Sequence, residues 1–87
     1  MSRYTLVITK TAVKDLESLS EPAKRRLKQK LAYFLEQPDA LSFANRLVNS
    51  KIGTFRWRVG DYRVSFDVDG ATIVVLRIRH RRDIYRR

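Results

Sequence analysis

The spacing of apolar residues changes along the chain, and these changes predict the order of its secondary structure. Residues 3–9 form a short apolar run, which predicts a strand. A helix capped by Thr11 or a neighbour follows, and a second helix starts around Pro22 and ends at Pro38. The apolar faces of these helices consist of Val13, Leu16 and Leu19, and of Leu27, Leu31, Phe34 and Leu35.

The second half of the chain is predicted to contain three strands joined by tight turns. The apolar residues of segment 39–53 show no regular spacing, so this segment is predicted to be a long connection. Its apolar side chains, Leu41, Phe43 and Leu47, are expected to be buried beneath it. Residues 54–59 and 62–68 alternate between apolar and polar side chains, as strands do, and residues 72–79 are predicted to be the last strand. Gly60-Asp61 and Asp69-Gly70 between them are typical of hairpin turns.

The predicted fold is α+β, with the order β-α-α-β-β-β in a single domain that spans residues 1–87. Both helices have an apolar face to bury. We therefore expect a two-helix hairpin packed on one face of a four-stranded, mainly antiparallel sheet. The other face of that sheet is open to solvent or to a ligand.

Alternation along the strands assigns side chains to the two faces. The set predicted to face the helices is Phe55, Trp57, Val59, Tyr62, Val64, Phe66, Val68, Val74, Leu76 and Ile78. The set predicted to lie on the open face is Arg56, Arg58, Arg63, Arg77, Arg79 and Arg81. A one-residue bulge in any strand would move part of these sets to the opposite face.

The charge of the chain is strongly positive, with 19 Lys and Arg against nine Asp and Glu and a net charge of +10. A field of this sign attracts polyanions, so nucleic acid is the first expected partner and an acidic protein the second. From residue 47 onward there are nine arginines and a single lysine, Lys51. Arginine presents a planar fork that matches phosphate oxygens, which favours phosphate binding over a merely solvated face.

The residues that are missing narrow the possible chemistry. The chain has no cysteine and one histidine, His80, so we expect neither a disulfide nor a metal site of the zinc type, and we expect no cofactor. The N-terminal segment lacks an apolar stretch of signal-peptide length, and no run is long enough to span a bilayer. We expect a soluble, cytoplasmic protein without a membrane partner.

An arginine-lined face has a specific chemical use in phosphodiester transfer, where negative charge gathers on the phosphorus oxygens. Fixed cations that meet this charge lower the barrier. RNA carries its own nucleophile, the 2′-hydroxyl, so the protein needs only to orient it and to move protons. His80 and Tyr85 are the candidates for proton transfer, although a single His or Tyr is more often structural.

Two segments, Phe55 to Val64 and Arg79 to Arg86, resemble the RelE/ParE toxin superfamily, on its RelE side. The helical hairpin also fits, so the resemblance covers nearly the whole chain. It implies a toxin of a type II toxin–antitoxin pair that cleaves messenger RNA in the ribosomal A site. It further implies a 2′-hydroxyl nucleophile, a cyclic-phosphate product, no metal, and a cognate antitoxin as partner, and it leaves open a toxin–antitoxin heterotetramer.

The resemblance also implies roles for individual residues. Arg56 and Arg58 take two strand positions that are commonly basic, and Arg63 would bind the scissile phosphate. Arg81 would stabilise the transition state, and Tyr85 would stack on a base or join in proton transfer. The remaining cations predicted to contact RNA are Lys51, Arg77, Arg79 and Arg82.

Two departures from the RelE pattern leave the general base open. The two strand positions, which include lysines in RelE itself, hold arginine here, and arginine is a poor base. The spacing from Arg81 to Tyr85 is also shorter. Two other functions stay open: a ParE-like inhibitor of DNA gyrase, from the other branch of the superfamily, and a non-catalytic module that binds RNA or an acidic protein.

Overall fold

The computed structural model describes residues 4–48 and 53–82. The helices are α1 (Lys10–Glu17) and α2 (Glu21–Glu36), followed by a short 3-10 helix (Ala40–Phe43). The strands are β1 (Thr5–Ile8), β2 (Ala44–Arg46), β3 (Phe55–Val59), β4 (Tyr62–Asp69) and β5 (Thr72–His80). In the described part of the chain no helix is long and apolar enough to cross a membrane.

The strands form one mixed sheet in the order β1-β5-β4-β3-β2. β1 runs parallel to β5, and the other neighbours are antiparallel. The predicted α+β class is confirmed, but the sheet has five strands rather than four. The additional strand, β2, lies in the segment predicted to be a connection, where Asn45 pairs with Arg56. Three residues are too short to show an alternating pattern.

Side-chain caps determine where the two helices begin. The hydroxyl of Thr9, rather than that of Thr11, accepts the backbone N–H of Ala12 at 3.2 Å and starts α1. Ser20 accepts the N–H of Ala23 at 3.4 Å and starts α2. Gln37 is already extended, as expected for a residue before proline, and α2 ends there as predicted.

The core lies between α2 and the sheet and is built around Trp57. This side chain is fully buried, and its ring centroid lies 5.0 Å from that of Phe34 and 4.2 Å from that of Phe66. Its indole N–H donates to the carbonyl of Ala40 at 3.3 Å. Phe43 was predicted to be tucked under the connection but is 42% exposed, because it stacks on the outer side of Phe34.

A β-bulge in β5 corrects the predicted faces of that strand. Ser65 pairs with Arg77, whereas the next residue, Phe66, pairs with Val75, so Leu76 has no partner in β4. The prediction placed Val74 and Leu76 in the core and Ile73 and Val75 outside. The structure buries Ile73 and Val75 completely and leaves Val74 and Leu76 half-buried.

The side chains at the end of β5 lie on the predicted faces of the sheet, because the bulge precedes Arg77. Ile78 faces the core, and the register sends Arg77 and Arg79 to the open face. Of the two predicted turns, Gly60-Asp61 is confirmed. The second turn consists of Gly70 and Ala71, since Asp69 still pairs with Thr72 at the end of the ladder.

Candidate functional site

Three arginines lie side by side on the open face of the sheet. Arg63 in β4 pairs with Arg58 in β3 and with Arg79 in β5. Residues directly opposite each other in an antiparallel ladder project to the same face, about 4.5–5.5 Å apart at Cβ. Like charges at this spacing repel each other, so this arginine row, Arg58–Arg63–Arg79, is most stable when it shares an anion.

The middle member of the arginine row differs from its neighbours. Arg63 is 5% exposed, and its Nη1 donates to the carbonyls of Gly60 at 3.0 Å and Tyr62 at 3.1 Å. Arg58 is exposed and Arg79 is half-buried, and neither forms an ion pair with any residue the structure describes. The row therefore consists of one fixed, buried cation between two accessible ones.

The next row of the open face runs from Arg56 through Ser65 to Arg77. Arg56 is half-buried, and its Nε has no hydrogen-bond partner within residues 4–48 and 53–82. Arg77, expected to bind RNA, is held by Asp15 of α1 through contacts of 2.8 Å from Nε and 3.2 Å from Nη2. This hydrogen bond raises the pKa of Arg77, so it stays charged but is not an open fork.

Asp15 is a residue of the candidate site that the sequence analysis missed. Its Oδ2 accepts the backbone N–H of Ile78 at 3.0 Å as well as the Nε of Arg77. β1 pairs with the outer edge of β5 only as far as Val75. Beyond the end of β1, Asp15 accepts a backbone N–H of this edge, that of Ile78. Nothing in the pattern of α1 marks this position, because the partner lies 63 residues away.

His80 lies on the opposite face of the sheet from the arginine row. It pairs with Tyr62 on the helix side, and the two rings meet edge to face with centroids 5.2 Å apart. Its Nδ1 accepts the backbone N–H of Arg82 at 3.1 Å, so the hydrogen of the neutral ring is on Nε2.

A cleft of about 500 Å³ opens along the free edge of β5, beside the end of α1. We call it the edge cleft. Its lining residues are Asp15, Ser18, Leu19, Tyr62, Arg77, Ile78, Arg79, His80 and Arg82. Arg79 belongs both to this cleft and to the arginine row, so the two sites are continuous.

The other predicted site residues lie near the end of β5 or outside the described chain. Arg81 and Arg82 are exposed, and the backbone N–H of Arg81 donates to the carbonyl of Asp61 in the β3–β4 turn. Lys51 and Tyr85 lie outside the described residues. Within residues 4–48 and 53–82, no three His, Cys, Asp or Glu side chains are grouped so as to hold a metal ion.

Comparison with known proteins assigns the chain to a family. Residues 6–85 match the family described as the ParE toxin of the type II toxin–antitoxin system parDE. The chain belongs to the ParE toxin family. As a member of this family it is a type II toxin of the RelE/ParE superfamily, and the resemblance carried by the two segments is confirmed at that level.

Relatives of this toxin carry RelE-type names. It is 36% identical over 86 residues to Toxin RelG of Mycobacterium tuberculosis, covering 97% of this chain and 98% of the relative. It is 30% identical over 86 residues to Toxin RelE3 of Methanocaldococcus jannaschii, covering 92% of this chain and 93% of the relative. The fold is similar to that in the toxin–antitoxin complex RelBE2 of Mycobacterium tuberculosis, with a TM-score of 0.73 and 31% identity over 88% of this chain and 96% of the other.

An archaeal complex supports the same assignment. The RelE–RelB complex of Pyrococcus horikoshii has a TM-score of 0.70 and 28% identity to this toxin, covering 91% of this chain and 96% of the other. These neighbours have two helices packed against a mixed sheet, as this toxin does. The comparisons thus establish the fold and the toxin family of this chain.

Proposed function

We propose that this toxin is an endoribonuclease that cuts messenger RNA in the A site of the ribosome. The observation that carries the proposal is the arginine row, in which three arginines are paired in register across three adjacent strands. Such a row fits a phosphate whose charge increases during the reaction. It also fits the RelE-type names of two relatives, Toxin RelG and Toxin RelE3.

The proposed reaction is an internal transesterification. The 2′-oxygen of one nucleotide attacks its own 3′-phosphorus, forms a P–O2′ bond and breaks the P–O5′ bond to the next nucleotide. The products are a 2′,3′-cyclic phosphate and a 5′-hydroxyl, and the proton lost by the 2′-oxygen balances the one gained by the leaving oxygen. Arg58 and Arg79 contact the phosphate, while Arg63 adds its charge from beneath them without rearranging.

The position of His80 in the sheet decides which residue we propose for proton transfer. His80 lies on the opposite face of the sheet, which argues against a role as base at the arginine row. Tyr85 lies outside the described residues, so its role rests on the family resemblance. We keep Tyr85 as the residue proposed for stacking or proton transfer, and Arg81 as a cation for the transition state.

The proposed protein partner is a RelB-type antitoxin, as in the solved toxin–antitoxin complexes. A net charge of +10 suits an acidic segment, whose carboxylates would neutralise the open face and block RNA. The proposed substrate places the activity in the cytoplasm, where ribosomes and messenger RNA meet.

The test is primer extension on messenger RNA translated in a reconstituted system, with purified toxin and its variants. We expect new 5′ ends within codons, only when ribosomes are present. The variants Arg58→Ala, Arg81→Ala and Tyr85→Phe should lose at least about tenfold in cleavage rate, the usual size of effect for removing one transition-state contact. Arg25→Ala, an exposed arginine on α2, is the matched control and should cleave normally.

A second candidate function is inhibition of DNA gyrase, which the ParE description of the matching family favours. In that case the toxin would arrest growth and inhibit supercoiling by purified gyrase without producing new 5′ ends. Ribosome-dependent cleavage with unchanged gyrase activity would exclude this candidate. Absence of both activities would leave a binding module.

A further inference from the structure

The edge cleft has an unbalanced positive charge. Three arginines line it, Arg77, Arg79 and Arg82, against one carboxylate, Asp15. Asp15 is already engaged by Arg77 and by the N–H of Ile78. Arg79 and Arg82 form no ion pair within the described part of the chain, so the cleft has two available guanidinium groups for an anion.

The other walls of the edge cleft suit a flat ring. Leu19 is a half-buried apolar residue of the lining, and the rings of Tyr62 and His80 are inclined at 87° to each other. Tyr62 and His80 also bring polar atoms, a hydroxyl and a ring nitrogen, to the lining of the cleft. A volume of about 500 Å³ lies within the range of about 300–1,000 Å³ that is typical of small-molecule sites.

We propose that the edge cleft holds one nucleotide of an RNA strand whose backbone crosses the arginine row. Arg79 belongs to both sites, so a strand that contacts the row reaches the cleft within its next nucleotide. The nucleotide's phosphate pairs with Arg79 and Arg82, and its base packs against Tyr62 and Leu19. This inference rests on the proposed function, because it takes RNA as the ligand.

The test introduces a carboxylate into the cleft without touching the arginine row. Ser18 is exposed at the end of α1 and lines the cleft, and its hydroxyl donates only locally, to the carbonyl of Asp15. Ser18→Glu therefore adds one negative charge to the cleft. Thr11→Glu makes the same change of charge on an exposed position of α1 outside the cleft.

Binding is measured by fluorescence anisotropy with a labelled 2′-O-methyl RNA hexamer, which lacks the nucleophile and cannot be cut. We expect Ser18→Glu to weaken binding about tenfold and Thr11→Glu less than about threefold, since only the first charge lies against the bound phosphate. Urea unfolding of both variants verifies that they fold. Equal binding by the two variants would overturn the inference and leave the proposed nuclease intact.

A nuclear magnetic resonance titration separates a strand nucleotide from a free one. AMP should shift the amides of Ser18, Leu19 and Tyr62, adenosine and inorganic phosphate should shift them less, and the hexamer should displace AMP. Saturable AMP binding that the hexamer does not displace would overturn the RNA part of the inference. Ribosome-dependent cleavage together with no AMP response would overturn the cleft alone, and absence of both would reject the proposed function as well.

Discussion

At the scale of single residues, the arginine row depends on how one buried guanidinium is accommodated. Arg63 offsets the loss of water by donating from Nη1 to the carbonyls of Gly60 and Tyr62. The same bonds tie the strand to the β3–β4 turn. Arg63 therefore has a structural role as well as a place in the proposed site, whereas Arg58 has only the second.

Arg63→Met and Arg58→Met should separate these two roles. We expect Arg63→Met to lower the free energy of unfolding by about 1–3 kcal/mol, because two turn carbonyls lose a charged donor. Arg58→Met, at the exposed neighbouring position, should change it by less than about 0.5 kcal/mol. Urea denaturation measures both, and an Arg63→Met variant as stable as wild type would show that the turn does not depend on this side chain.

Substitution of Trp57 tests the contribution of the core to stability. Trp57→Ala should cost about 3–5 kcal/mol in urea denaturation, because the fully buried ring fills the space between Phe34 and Phe66. Val48→Ala, at a position that is 83% exposed, serves as the control and should be nearly neutral. Unchanged stability of Trp57→Ala would mean that β3 presents its other face to the helices.

At the scale of elements, helices and strands with regularly spaced apolar residues were predictable from the sequence, whereas a β-bulge was not. α2, β3 and β4 were predictable because their apolar residues repeat without interruption. The bulge at Leu76 was not, since residues 73–76 are all apolar and fit either face equally well. The arginine row was nevertheless placed correctly on the open face, because the bulge precedes both Arg77 and Arg79.

Two glycines provide a paired test of the β-strand connections. Gly53 has a φ of +91°, and a Cβ there would lie 2.9 Å from the backbone oxygen of Phe66. Gly70 has a φ of +59°, and a Cβ there would meet nothing within 4 Å. Gly70→Ala should cost about 1–2 kcal/mol for the left-handed backbone alone.

Gly53→Ala should cost at least about 1 kcal/mol more than Gly70→Ala, because β4 must also shift away from the added methyl group. Differential scanning calorimetry of the two variants gives the comparison directly. Equal losses of stability would mean that the approach of Gly53 to β4 is loose enough to absorb a side chain.

At the scale of the whole molecule, the charge predicted from composition has a measurable consequence. Association with RNA should weaken as salt rises, with the logarithm of the binding constant falling by about 0.7 per phosphate contact on a single strand. Arg58→Ala should reduce this slope by about 0.7, and Arg25→Ala, on α2, should leave it unchanged. Equal slopes for wild type and Arg58→Ala would place the RNA contact away from the open face.

Pattern alone predicted the face of the sheet that carries Arg58, Arg63 and Arg79. The pattern did not predict the edge cleft, because this cleft forms where α1 meets the uncovered end of β5. The contact between Asp15 and Arg77 spans 62 residues. Such contacts depend on tertiary packing, for which local spacing carries no information.

The position of β5 between β1 and β4 has a consequence for the synthesis of the protein. Among the strands of residues 4–48 and 53–82, β5 is synthesised last, yet it joins the first strand to the hairpin and supplies Arg79. A nascent chain without residues 72–80 has no partner for β1 and no complete arginine row. The arginine row is therefore complete only after β5 has been synthesised and has been inserted between the first strand and the hairpin.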